Sequence, residues 1–97
     1  MQKCNSLKEV RNEIDKLDTQ LVDLISQRSH LIRQAASFKE TIEEVKAEDR
    51  IDFILNNVRH HAIKKEVSPN MISDLFEIMI NEMVETEIAE FRNTSTF

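Results

Sequence analysis

Apolar residues recur at steps of three and four along the first part of the chain: Leu7, Val10, Ile14, Leu17, Leu21, Leu24, then Leu31, Ala35 and Phe38, with no helix breaker between them. That spacing predicts one helix of about 35 residues. Its start is marked by Ser6-Leu7-Lys8-Glu9, an S-x-x-E order in which the serine oxygen and the glutamate each satisfy an amide left unpaired at a helix beginning. At 1.5 Å per residue such a helix spans roughly 50 Å, whereas a compact sphere of this chain length is only about 30 Å across. The first helix is therefore expected to overshoot its own protomer. Its apolar stripe requires cover from another chain, and a second copy using the same stripe is the simplest source.

Glu40 to Lys46 (E-T-I-E-E-V-K) interrupts the period with β-branched and charged residues, and is expected to be a mobile connecting loop able to act as a lid. A second helix is predicted from about Ala47 to Lys65, with Ile51, Ile54, Leu55, Val58 and Ala62 facing inward and Lys64-Lys65 suiting a helix C-terminus. Val67-Ser68-Pro69 then supplies an N-cap serine followed by proline at the first helical position. A third helix follows with Ile72, Leu75, Phe76, Met79, Met83, Ile88 and Phe91 on its apolar face, and Asn93 to Phe97 reads as a frayed tail. No repeat or linker divides the chain. The expected fold class is all-α: a three-helix protomer with one very long first helix, forming a single domain over residues 1–97 and paired as a homodimer.

Composition narrows the function classes. Glycine is absent and proline occurs once, which removes the usual material for phosphate-cradling loops and tight hairpins. Thirteen Lys/Arg against eighteen Asp/Glu give a net charge of −5, so no nucleic-acid partner is expected. No apolar stretch approaches the roughly 20 residues of a membrane span, and Met1 to Glu9 lacks the basic-then-apolar order of a signal peptide, so the expected location is cytoplasmic, with no membrane partner. Cys4 stands alone near the terminus and is read as inert. His60 and His61 are adjacent on a helix and cannot face one ligand, and His30 is isolated, so no metal and no cofactor is expected.

The informative residues are charges in apolar register. Arg28 occupies the step between Leu24 and Leu31, and Lys39, 11 positions further, returns to within about 20° of the same direction on a continuous helix. Glu87 behaves alike on the third helix, 11 positions after Phe76 and four after Met83. Arg11 points about 100° away from Arg28 and lies some 25 Å from it along the helix, so one small ligand cannot touch both in one chain. An antiparallel partner helix could bring its own Arg11 beside this chain's Arg28. Arg50 opens the second helix and is a fourth cation for the same cavity. Any one of these residues alone is most simply an ion-pair partner at an interface. Together they leave surplus positive charge beside a single inward acid, which an anionic ligand would balance. Met71, Met79 and Met83 are most simply core filler, and Glu43-Glu44 solvated surface.

L-K-E-V-R-N-E-I-D-K-L-D around Arg11, L-I-S-Q-R around Arg28, F-K at Lys39 and E-D-R at Arg50 together resemble the all-helical chorismate mutase family over nearly the whole chain. The resemblance implies an intertwined homodimer with two shared active sites. Each site would take Arg11 from one copy and Arg28, Lys39 and Arg50 from the other around a small dicarboxylate. It further implies that Arg11 and Arg28 clamp the two carboxylates, that Lys39 donates to a carboxylate and to the ether oxygen, and that Arg50 supports the ring-carboxylate side. Ala47, Ile51 and Met83 would line the substrate. Glu87 stands where bacterial members usually carry glutamine and fungal ones glutamate, facing the ether oxygen. An ionised carboxylate cannot donate a hydrogen bond, so Glu87 would act protonated.

Two positions depart from the mutase pattern. Ile51 replaces a glutamate that binds the ring hydroxyl in many mutases, and Ala47 replaces an aspartate. Both bring the chain closer to isochorismate pyruvate lyase, as do Cys4 with the S-L-K-E-V-R segment and the A-A-S-F-K run ending at Lys39. Glu87, where the lyase normally has glutamine, points back to mutase. The resemblance thus implies a mutase first, with the lyase or a dual activity as the alternative. A third, non-catalytic reading is a helical interaction module, which requires Arg28 and Lys39 to face water or acidic side chains.

Overall fold

A computed structural model describes residues 3–95, and these form four helices with no strand among them: α1 (Leu7–Ala36), α2 (Ile42–Lys46), α3 (Glu48–Lys64) and α4 (Pro69–Ser95). The chain divides into two compact units, residues 1–31 and 32–97. The all-α class and the three long helices are as the periodicity predicts. Met1 and Gln2, at the head of the segment weighed as a signal peptide, and Thr96 and Phe97 of the expected tail lie outside the described residues.

The first unit is the greater part of α1. The Ser6 Oγ accepts the Glu9 amide at 3.1 Å, and the Glu9 carboxylate reaches back to accept the Asn5 amide at 2.7 Å. The glutamate thus satisfies the residue before the cap. Leu7, Val10, Ile14, Leu17, Leu21, Leu24 and Leu31 are all exposed, from 39% at Val10 to 64% at Leu31, and Val22 and Ile25 add a second flank. A stripe this apolar and this open is unusual for a helix with no partner.

α1 is 30 residues long, shorter than the expected 35. Its end has a local cause. Ser37 turns its hydroxyl back onto the Gln34 carbonyl at 2.7 Å, and the amides of Ser37, Phe38 and Lys39 each bond three residues back, tightening the chain out of the α-helix. Phe38, assigned to the apolar stripe, consequently sits in a turn and is 83% exposed.

The second unit packs α3 and the short α2 against α4. Ala36, Val45, Ala62 and Ile80 are its buried apolar side chains, joined by buried Ser73 and Glu87. Ile51, Ile54, Leu55 and Val58 are half-buried as the periodicity requires, whereas Leu75, expected inward, is exposed. The expected loop at Glu40 to Lys46 is instead largely helical. Thr41, in extended conformation, caps α2 by accepting the Glu44 amide at 3.1 Å. Ala47 joins α2 to α3 in a left-handed conformation (φ 33°, ψ 63°).

The turn from α3 to α4 is a Schellman arrangement: the Val67 amide bonds to the Ala62 carbonyl at 3.0 Å and the Glu66 amide to Ile63 at 3.2 Å. Glu66 (φ 60°) occupies the left-handed position that glycine fills in most proteins. Arg59 braces the turn from α3, donating to the Pro69 carbonyl, Asn70 Oδ1 and Ser73 Oγ at 3.3, 3.0 and 2.9 Å. Ser68 caps α4 through the Met71 amide, with Pro69 at the first helical position as predicted. Helix α4 continues to Ser95, so Asn93 to Ser95 are helical and not a frayed tail.

Candidate active site

Glu87 is a carboxylic acid at 6% exposure on α4, where the three-and-four spacing calls for an apolar side chain. Its partner is Lys39, whose ammonium lies 3.8 Å from the carboxylate. Burial raises the Glu87 pKa above the ordinary value of 4.5, and the nearby Lys39 charge only partly offsets that rise. A buried acid that resists ionisation, facing a cation, can be a hydrogen-bond donor and an acceptor in the same small space.

Lys39 reaches this position by a different route from the one the sequence suggests. It lies three residues beyond the end of α1, so the 11-residue return of a continuous helix does not apply to it. Its side chain, 24% exposed, leaves the turn after α1 and donates a hydrogen bond to the Glu44 carbonyl of α2 at 3.0 Å. The T-x-x-E order of Thr41 to Glu44, the same cap signature as at Ser6, was the available signal for α2.

The remaining predicted residues stand as follows. Ala47, in left-handed conformation, and Ile51 are half-buried at the start of α3, and Met83 is half-buried one turn before Glu87 on α4. Arg50 is exposed, with its guanidinium carbon 5.4 Å from the centre of the Phe53 ring, a cation–π contact. In the first unit Arg11 is exposed and Arg28 half-buried. Lys39 and Glu87 are the predicted pair that one unit visibly brings together. The structure adds Glu44 and Thr41, whose sequence pattern by itself reads as loop or solvated surface.

Among the described residues no group of three His, Cys, Asp or Glu side chains could hold a metal ion, and no helix is long and apolar enough to cross a membrane. A polar depression beside the start of α1, lined by Lys3, Cys4, Glu9 and Lys16 among others, contains none of the predicted site residues.

The described residues thus form an all-helical protein with a half-buried lysine beside a buried glutamate and a long first helix with an exposed apolar stripe. Residues 10–88 match the chorismate mutase type II family, and the chain belongs to that family. It is also similar to the isochorismate pyruvate lyase of Pseudomonas aeruginosa, with 23% identity over 91 residues that cover 94% of this chain and 90% of the relative.

Proposed function

We propose that the protein rearranges chorismate to prephenate in a cation-lined site shared between two copies. The observation that carries the reading is the Lys39–Glu87 pair: a half-buried ammonium 3.8 Å from a buried carboxyl whose pKa burial raises, in a chain of the chorismate mutase type II family. The reaction is intramolecular. One ether C–O bond breaks as one C–C bond forms, so the protein needs to supply no nucleophile, only a fixed substrate conformation and charge stabilisation at the ether oxygen. Lys39 donates to that oxygen and to a carboxylate, and protonated Glu87 gives the second hydrogen bond. Arg28 and the Arg11 of a second copy fork onto the carboxylates, a geometry that fixes orientation along with charge. Arg50 serves the ring-carboxylate side, and Ala47, Ile51 and Met83 shape the wall.

The second copy is proposed because α1 carries an apolar stripe that nothing in its own unit covers. Burying that stripe on its symmetry mate makes the arginines available in pairs. The location proposed for this small-molecule chemistry is the cytoplasm.

A second reading is favoured by a specific observation. Ile51 offers no polar group to a ring hydroxyl, and the Pseudomonas relative is named an isochorismate pyruvate lyase. The same site would then release pyruvate from isochorismate. Supplying the purified protein with chorismate and isochorismate separately and separating the products decides between them. Prephenate from chorismate supports the mutase, salicylate with pyruvate from isochorismate supports the lyase, and neither product overturns both.

A further inference from the structure

Lys39 is badly placed to hold itself still. It lies outside any helix, between the end of α1 and the cap of α2, on a four-carbon side chain that has about 2 kcal/mol of rotamer entropy to lose. Its contact with Glu87, at 3.8 Å, is longer than a hydrogen bond and sets distance without direction. The directional contact is the one to the Glu44 carbonyl at 3.0 Å.

Glu44 makes three contacts of this kind. Its carbonyl accepts from the Lys39 ammonium, its carboxylate accepts the Glu40 amide, at 2.6 Å, and its own amide is donated to Thr41 Oγ1. Two of these fasten Glu40 and Thr41, the two residues that follow Lys39, and the third takes one of the three ammonium N–H donors, leaving two for Glu87 and a ligand. Five residues of helix do not persist unaided. α2 holds its place because Val45 is buried where α2 packs on α4, the helix that carries Glu87. Thr41, Glu44 and Val45 thus connect the position of Lys39 to that of Glu87 through one small packed element.

We propose that Glu44, with Thr41, is a positioning residue that aims the Lys39 ammonium into the site, so that α2 is a support for the lysine and not a passive connector. The inference rests on the reading of Lys39 as a group that touches substrate. Glu44 itself touches no substrate; its effect passes through Lys39.

Glu44→Ala removes the acceptor for the Glu40 amide and loosens α2, and is expected to lower kcat about 10- to 30-fold with KM changed less than about twofold, since misaiming a group costs more in the transition state than in binding. Thr41→Val is expected to act in the same direction. Glu44→Gln keeps an oxygen acceptor and is expected to restore kcat to within about threefold of the parent. In a Lys39→Ala background Glu44→Ala is expected to cost nothing further, whereas a general structural defect would persist there. An activity-independent readout is competitive acylation with acetic anhydride, read by peptide mass spectrometry as Lys39 labelling relative to exposed Lys46. Glu44→Ala should raise that ratio several-fold and Glu44→Gln should not. An unchanged ratio, or a kcat loss of equal size with and without Lys39, overturns the proposal. If the parent protein converts neither chorismate nor isochorismate the functional reading fails, and the labelling ratio by itself decides whether Glu44 aims Lys39.

Discussion

Replacing Glu87 by glutamine separates two roles that one carboxyl combines, because the amide keeps the shape and the donor but cannot ionise. At 3.8 Å the Lys39 charge attracts a Glu87 carboxylate by about 4 kcal/mol gross at an effective dielectric near 20, while taking a carboxylate out of water costs several kcal/mol. Desolvation prevails, and the Glu87 pKa is raised. In the parent protein the donor form therefore persists to higher pH than in an exposed glutamate, and above the raised pKa it falls about tenfold for each further pH unit. If that form is the active one, log(kcat/KM) for chorismate falls with slope −1 above the raised pKa, and the Glu87→Gln profile stays flat through the same range. The profiles cross, with the variant faster on the alkaline side. Initial rates of chorismate loss at constant ionic strength, across roughly pH 5 to 9, measure this. Two profiles falling in parallel, or a parent profile without a slope, would refute the assignment of the proton to Glu87. Stability carries the same sign. A carboxyl whose folded pKa is raised favours the folded state fully below its ordinary value of 4.5, and that contribution is lost as pH climbs through the raised value. The parent's Tm should accordingly drop over that window relative to the glutamine variant.

Other outcomes follow from single contacts. Lys39→Ala removes a donor aimed at developing negative charge and should lower kcat about 10²- to 10³-fold while leaving the far-UV circular dichroism unchanged. Glu66→Gly relieves a left-handed position outside the site and should stabilise the protein by about 1 kcal/mol, read as a higher midpoint in urea with unchanged activity. A lower midpoint would show that Glu66 is not strained. Arg59→Ala takes three hydrogen bonds from the α3–α4 turn and should cost about 1–3 kcal/mol in the same titration. Leu17→Glu places a charge in the middle of the exposed α1 stripe and should shift the sedimentation coefficient to that of a monomer, whereas an unchanged value would locate the pairing surface elsewhere.

The helices were legible in the sequence where they were long or capped. Ser6 with Glu9 and Ser68 with Pro69 mark starts that the structure places at those residues, because cap chemistry is local and leaves residue types in fixed order. α2 is illegible by its periodicity although Thr41 and Glu44 stand in cap order. Five residues hold too little of a period to see, and burial of Val45 depends on α4, far away in sequence. The end of α1 was also misjudged, since the Ser37 hydroxyl bonding to Gln34 stops a helix whose apolar spacing runs on to Phe38. That error matters for Lys39: periodicity pointed it inward by continuing a helix that had already ended, and the turn and α2 bring it to Glu87 instead. Glu87 stood out because an acid in an apolar register is a local anomaly. Arg59 and Ser73 carried no such mark, as their contact crosses a turn between helices and leaves no periodic trace.

In the proposed site one dianion is held by cations from two copies. Subunit mixing tests it: chains carrying Arg11→Ala and chains carrying Arg28→Ala, each inactive as a pure sample, are combined under conditions that allow exchange. A mixed dimer then has one doubly damaged site and one intact site, and random pairing should return about a quarter of the parent's kcat for chorismate. Mixed dimers that form, as seen by native mass spectrometry, but recover no turnover would contradict the shared site.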